Sequence, residues 1–340
     1  MKKPTMKDVA RLAGVGLATV DRVLNERGET SVDVTRKVIE AARTLGMRRQ
    51  LPDPYERLRL LHFVLPPPDT DFRRRLLAKL EMIRNRLDQR IRVSIGFAEP
   101  ADPAAVVAAL AGVQSEAVGF CYWGQGSPQV QAAVDALHAR AVKVFCLLNR
   151  PPALHCDGYF GTDNEAAGRT AAFLAKGRLG ERREVLVLTP MLDNTGPNAR
   201  VSGFETAMLQ HVPGSRVVEV VETRNNPALV AATLKRVLAR HPQLGMVYNI
   251  GSGAEGMRAA LQQALPDAPL FVVTHELTQE TQALLKAHLV DYVLDQNLSL
   301  TMGTAIHQMM RCLQEESAPG VVALHTPFSI YCPENVGDEL

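Results

Sequence analysis

From Leu60 onward the chain alternates short apolar runs with stretches of helical period, and this alternation restricts the fold more than any other feature. The runs are LLHFVL (60–65), VSIGFA (93–98), AVGFCYW (117–123), VKVFCLL (142–148), EVLVLTP (184–190), GMVYNI (245–250), PLFVVTH (269–275) and VDYVLDQ (290–296). Helical spacing fills the intervals, at 72–87, 102–110, 128–139, 164–174, 198–210, 227–240, 254–265 and 278–288. Uninterrupted apolar strands separated by helices predict parallel sheets with right-handed crossovers and helices on both faces. Eight such units are more than one sheet usually carries. Two doubly wound parallel α/β lobes facing a cleft fit the count, and no internal repeat suggests a solenoid.

The first 47 residues follow a different rhythm. Thr5 can cap a helix over Met6–Ala13, with Asp8 near its positive end and Val9 and Leu12 on one face. Gly14-Val15-Gly16 supplies a turn, and a second helix from Leu17 to Asn25 presents Val20, Val23 and Leu24. Ser31 or Asp33 can cap a third, carrying Val34, Val38, Ala41, Ala42 and Leu45 until Gly46 stops it. Two short helices joined by a glycine turn, with a third to close the core, make a small all-α helix-turn-helix domain over 1–47. Residues 48–58, with Pro52 and Pro54, read as a linker or hinge, and 59–340 as a separate α/β body. Charge divides the same way. Residues 1–50 hold eleven Lys or Arg against six acids, a surplus of +5, so a chain of net +2 carries −3 elsewhere. A basic module on a slightly acidic body is the footprint of a nucleic-acid reader.

The stretch MKDVARLAGVGLATVDRVLNERGE, followed by TRKVIEAARTLGM, resembles the DNA-binding module of the LacI/GalR family of transcriptional regulators. GTDNEAAGRTAA (161–172), Arg200-Val-Ser-Gly-Phe204 and DQN (295–297) resemble that family's effector domain, which shares its fold with periplasmic sugar-binding proteins. The resemblance implies a periplasmic-binding-protein-like body, with one lobe at about 59–160 and 297–323 and the other at about 161–296 and 324–340. It also places Leu17 and Ala18 where the family reads bases, and apolar groups there suit thymine methyls. Arg22 is the candidate for a bidentate guanine contact and Thr19 for a phosphate contact, with Thr5 and Asn25 completing the DNA-facing set. Leu17 could instead pack into the core. Two residues depart from the family pattern, Gly16 and Asp21, where serine is usual; the first loses a hydroxyl and the second brings a negative charge that Arg22 or Arg11 would have to offset. The family's hinge forms a short helix whose leucine wedges into the minor groove. Pro52 and Pro54 would interrupt it, leaving Leu51 or Leu58 as a wedge or the linker as a simple tether.

Sugars are held in such clefts by aromatic faces and planar polar groups placed just after the strands. Asp71 and Phe72 follow the first strand and match the family's polar and stacking residues, and Trp123 follows the third. Asn149 and Arg150 end the fourth. Arg200, Asn249 and Gln296 correspond to sugar-contacting positions of the family. At 274–276 the chain has Thr-His-Glu where most members carry an aspartate after a Gly-aromatic pair, so Glu276 or His275 would take over the hydroxyl contact.

Together these readings predict a ligand-responsive repressor of sugar or polyol genes, binding near-palindromic operator DNA as a homodimer or tetramer. No cofactor or metal is expected, and no catalysis. Gly251-Ser-Gly253-Ala-Glu-Gly256, between a strand and a helix with Glu276 ending the next strand, offers an alternative: an NAD(P)-dependent oxidoreductase. A sugar carrier without a regulatory role is a second alternative. HExxH, Walker and GxSxG elbow motifs are absent from the sequence. Neither a signal peptide nor a membrane span is recognisable, which predicts a cytoplasmic location. Five scattered cysteines without a CxxC pair are expected to be inert thiols.

Overall fold

In the computed structural model, which describes residues 4–25, 27, 30–47, 51, 59–88, 90–123, 126–180, 183–264, 270–314 and 322–337, the chain divides into two units. One comprises Met1–Arg59 with Asp88–Ile91, and the other the remainder. The first holds α1 (Met6–Ala13), α2 (Leu17–Leu24) and α3 (Val32–Thr44). Thr5 opens α1 with reciprocal caps: Asp8 N donates to its Oγ1 at 3.4 Å, and its own N donates to Asp8 Oδ2 at 2.9 Å. Gly14, at φ 67°, ends α1 in the left-handed region where a side chain would be strained. Val9, Val20, Val23, Leu24, Val38, Ile39, Ala41 and Ala42 form the core. Leu12, expected beside Val9, is 53% exposed. The stripe packed inward runs through Met6, Val9, Ala10 and Ala13 and leaves Leu12 outside it. Leu51 packs against the same core, whereas Pro52, Pro54 and Leu58 lie outside the described residues.

The second unit contains, in chain order, β1 (Arg59–Leu65), α4 (Asp71–Arg84), β2 (Ile91–Phe97), α5 (Pro103–Ala111), β3 (Ala117–Phe120), α6 (Pro128–Ala139), β4 (Lys143–Leu147) and β5 (Gly158–Gly161). There follow α7 (Asn164–Leu174), β6 (Glu184–Thr189), α8 (Thr195–His211), β7 (Arg216–Glu222), α9 (Pro227–Arg240), β8 (Leu244–Asn249), α10 (Glu255–Ala264), β9 (Phe271–His275) and α11 (Gln279–Lys286). The last elements are β10 (Tyr292–Asp295), α12 (Leu298–Gln314), β11 (Val322–His325) and β12 (Ser329–Tyr331). They build two six-stranded sheets, ordered β11-β5-β4-β3-β1-β2 and β12-β10-β9-β8-β6-β7. Every ladder from β1–β3 through β5–β11, and from β7–β6 through β9–β10, is parallel, and β12 runs antiparallel to its neighbour β10. Each sheet starts in its interior, at β1 or β6, and winds outward in both directions. The strand order therefore reverses between β1 and β3 and between β6 and β8, and a crevice opens at those carboxyl ends.

Four strands escaped the sequence pattern. β5 is a buried four-residue GYFG, too short to show a period, and the half-buried edge strand β7 reads as neither alternating nor continuous. β11 and β12 are short edge strands. They matter because the chain passes between the sheets after β5, after β10 and after β11. The crossings are tied together, with Thr326 N donating to Gly161 O at 2.8 Å and the Thr301 and Thr326 hydroxyls 2.8 Å apart. α12 packs against α4 and the first sheet. The fold also brings two of the scattered cysteines together: the Cys146 and Cys156 sulfurs lie 2.8 Å apart inside the first lobe. Hydrogen bonding to Cys156 and burial push the Cys146 thiol pKa up, away from the reactive thiolate.

Candidate functional site

Two surfaces carry the candidate residues. In the first unit α2 follows α1 across the Gly14 turn, and its N-terminal residues Leu17 and Ala18 are exposed, as is Arg22. Leu17 is 44% exposed, so it does not pack as a core residue; Val20, Val23 and Leu24 take that role. Arg22 lies along the helix with Nε 3.4 Å from Ala18 O. Thr19 is half-buried, and Thr5 is exposed but engaged in its cap. Asp21 is met by Asn25, whose Nδ2 donates to Asp21 Oδ1 at 2.7 Å, while Arg11 sits 3.8 Å from Asp8 instead. The carboxylate that the sequence left to an arginine is therefore partly balanced by a neutral amide one turn along the same helix.

In the second unit a cavity of about 740 Å³ opens at the two reversal points, within the usual range of small-molecule clefts. Phe72 after β1 and Trp123 after β3 stand in one wall, ring centroids 5.9 Å apart. Arg73 lies 5.5 Å over the Trp123 ring and donates to Glu99 through both Nη atoms, at 2.9 and 3.1 Å, and to Asp69 at 3.0 Å. This cation–π and fork geometry fixes the indole against a rigid support. The opposite wall comes from the loops after β6, β7 and β8 and from α8, with Asp193, Asn194, Arg200, Arg224 and Ser252 among its residues. Arg200 is almost wholly buried, yet its recorded hydrogen-bond partners are neutral: Nε donates to Asn164 Oδ1 at 2.7 Å and Nη1 to Ile250 O at 3.2 Å.

Two groups on the cavity lining are incompletely satisfied. Asn149, 2% exposed, accepts at Oδ1 from Thr195 Oγ1 and from Gly196 N at 3.0 Å, bridging the lobes, while its Nδ2 has no partner. Glu276 is hydrogen-bonded at Oε1 to Gln296 Nε2, and its Oε2 has no partner. A buried donor and a buried acceptor without partners cost stability unless something meets them. Burial first, then the neighbouring Asp295, push the Glu276 pKa up to about 7, so this side chain changes between hydrogen-bond donor and acceptor near neutrality. It holds φ 65°, a strained value for a residue with a Cβ, which turns its side chain out of the line of β9.

Of the sequence candidates, Phe72, Trp123, Asn149, Arg200, Glu276 and Gln296 meet on the cavity lining. The other four do not line it. Asp71 begins α4 and lies 3.9 Å from Arg74, and Arg150 is exposed outside the cavity. Asn249 is fully buried beneath the lining, donating to Gly251 O and Thr274 Oγ1, each at 2.9 Å. His275 is core, its Nε2 2.8 Å from the Tyr248 hydroxyl, and burial holds its pKa well below the usual imidazole range. The sequence missed Arg73, Glu99, Asn164, Arg224 and Asn225. Their advance signal was position, since each lies just past a strand end or at a helix start; Asn164 also lies in the GTDNEAAGRTAA segment.

The GSGAEG segment has a packing explanation. A Cβ on Gly256 would lie 2.0 Å from Pro227 O, and one on Gly251 2.6 Å from Asn225 Oδ1, so Gly256 lets α10 approach α9 and Gly251 lets the cleft loop close on the loop before α9. Gly253 takes φ 97°.

The model for the periplasmic binding protein domain matches residues 62–317, and that for bacterial regulatory proteins of the lacI family matches residues 5–50. A curated relative, the HTH-type transcriptional regulator RegA of Clostridium saccharobutylicum, is 35% identical over 92 residues, 26% of this chain and 27% of that protein. The chain thus matches only about a quarter of that relative's length. Among solved structures, a solute-binding protein of Burkholderia graminis in complex with D-arabinose superposes with TM-score 0.72 at 17% identity, covering 85% of this chain and 99% of that one. A glucose-galactose binding protein of Geobacillus stearothermophilus gives 0.70 at 18%, covering 82% and 98%. A solute-binding protein of Bacillus halodurans with bound myo-inositol gives 0.72 at 13%, covering 83% and 96%. At these identities the structures establish a shared fold.

Proposed function

Because the chain belongs to the periplasmic binding protein domain family and carries a lacI-family regulatory domain ahead of it, we propose that it is a sugar-responsive transcriptional regulator. The observation that carries this reading is the pairing of a helix-turn-helix, whose α2 exposes Leu17, Ala18 and Arg22, with a cleft whose walls hold an aromatic pair and unpartnered polar atoms. Asn149 Nδ2 needs an acceptor, and Glu276 Oε2 needs a donor while ionised. A hydroxyl supplies both, so a polyhydroxylated ligand with one apolar face for Phe72 and Trp123 fits the chemistry. Arg200 and Gln296 complete its polar contacts. The protein acts as a repressor on a near-palindromic operator, bound as a homodimer because one helix-turn-helix makes too few contacts alone. Ligand redistributes the body between lobe arrangements that differ in DNA affinity.

A gel-shift titration of the full chain on DNA upstream of its own gene, with and without D-arabinose, D-galactose, D-allose and myo-inositol, tests this. The expected result is a sequence-preferring complex that weakens with salt and responds to one of these compounds. Absence of a salt-sensitive, sequence-preferring complex would sink the regulatory reading.

A further inference from the structure

The crossing after β10 carries a charged contact outside the cavity lining. Arg75 lies on α4, which packs against α12 and the first lobe and bears Phe72 and Arg73 of the cleft wall. Asp295 ends β10 in the second sheet. Arg75 Nη2 donates to Asp295 Oδ1 at 3.3 Å, with the two side chains 23% and 12% exposed, so solvent screens the pair only in part. Neither residue lines the cavity.

Asp295 is held independently of Arg75. Its Oδ1 also accepts from Leu277 N at 2.9 Å and its Oδ2 from Asn297 N at 3.2 Å. Asn297, at φ 52°, is the residue at which the chain turns into α12 and returns to the first lobe. Asp295 therefore organises the exit from one lobe, and Arg75 reaches it from the other. The Arg75 side has no spare support: its Nη1 is buried without a hydrogen-bond partner. A half-buried guanidinium so placed loses its hydrogen bond to Asp295 if α4 and β10 move apart, and a partly desolvated cation without that partner is costly. A change of lobe angle that draws α4 away from the end of β10 breaks this contact.

We propose that Arg75 and Asp295 form an interlobe tie that fixes how far the cleft stands open, with Arg75 a positioning residue that does not touch the ligand. The proposal concerns regulation of the same cleft and rests on the reading that the cleft is functional, but its test involves neither sugar nor DNA. A negative result therefore removes the tie and leaves the regulator reading standing.

Trp123 is the only tryptophan of the chain and stands in the cleft wall, so its fluorescence reports the cleft. Acrylamide quenching of Trp123 is compared in full-length wild type, Arg75→Met, Asp295→Asn and the double variant, beside urea denaturation of each. The tie predicts that each single substitution changes the quenching constant by about twofold, as a shifted population of lobe arrangements does. The double variant moves no further than Asp295→Asn alone, because Arg75 acts only through Asp295. A purely structural role would shift the urea midpoint and leave quenching of the native state alone. Unchanged quenching in Arg75→Met, or additive changes in the double variant, overturns the tie. If Arg75→Met does not fold, Arg75→Gln removes the charge while keeping a polar side chain, and an unchanged quenching constant there overturns the tie equally.

Discussion

Glu276 and His275 are adjacent in the chain and were equal candidates for one contact, yet they end in opposite environments. His275 stays in strand β9 and turns into the core against Tyr248, where burial keeps it neutral. Glu276 takes φ 65° and enters the cleft. No periodicity reveals a single left-handed residue after a strand, so this distinction was not legible in the sequence. Its consequence can be measured. With its pKa raised from the ordinary 4.5 to about 7, the folded chain keeps a proton that the unfolded chain has lost, so this stabilising difference is full below pH 4.5 and gone once pH passes about 7. Glu276→Gln should flatten the pH dependence of the melting temperature across that window, where wild type loses on the order of 3 kcal/mol from this group. Identical pH profiles for the two proteins would show that burial does not perturb Glu276. Arg22, by contrast, stands where its sequence position predicts, exposed on the second helix of a helix-turn-helix. Arg22→Ala should cost about 1–3 kcal/mol at one base position in competition binding against single-base variants of the upstream DNA. An equal loss on every sequence would move Arg22 from a base to a phosphate.

At the scale of elements, the pattern that read well was burial on a regular period. The helices and the long central strands stood out because the body buries them with that regularity. The edge strands β7, β11 and β12 did not, because one side of each lacks the packing that selects residues, although β2, an edge strand too, was read. Helix crossings were equally hidden. A Cβ on Gly168 of α7 would lie 2.1 Å from Arg200 O, and one on Gly203 of α8 2.2 Å from Glu165 O, so the two helices touch through their glycines. Gly168→Ala should therefore destabilise the body by about 1–3 kcal/mol in urea denaturation, because the obstacle is backbone and cannot swing aside. It should also displace Arg200 and weaken any sugar-induced thermal shift. Gly303 of α12 has nothing within 4 Å of its missing Cβ, so Gly303→Ala should be neutral or stabilise by about 0.5–1 kcal/mol. Equal effects at both sites would mean that close approach is not why Gly168 is glycine.

At the scale of the molecule, the charge division and the change of rhythm near residue 59 mark two units with separate cores. The solved neighbours that match 82–85% of this chain are covered almost completely by the match. Residues 60–340 alone should give the same thermal shift with the responsive sugar as the full chain and should retard no DNA in a gel. Loss of the sugar response on truncation would show that the units are not independent. The sequence by itself determined the helix-turn-helix, the doubly wound class of the body and the residue types offered to a ligand. Hydrophobic period and turn chemistry are local, and they repeat over many residues. Only the tertiary structure decided which polar side chains line the cleft, that Asn249 and His275 lie beneath it, and that Arg75 meets Asp295 across 220 positions of chain. Those outcomes depend on single backbone angles and on where two sheets reverse their strand order, and neither leaves a periodic trace in the chain.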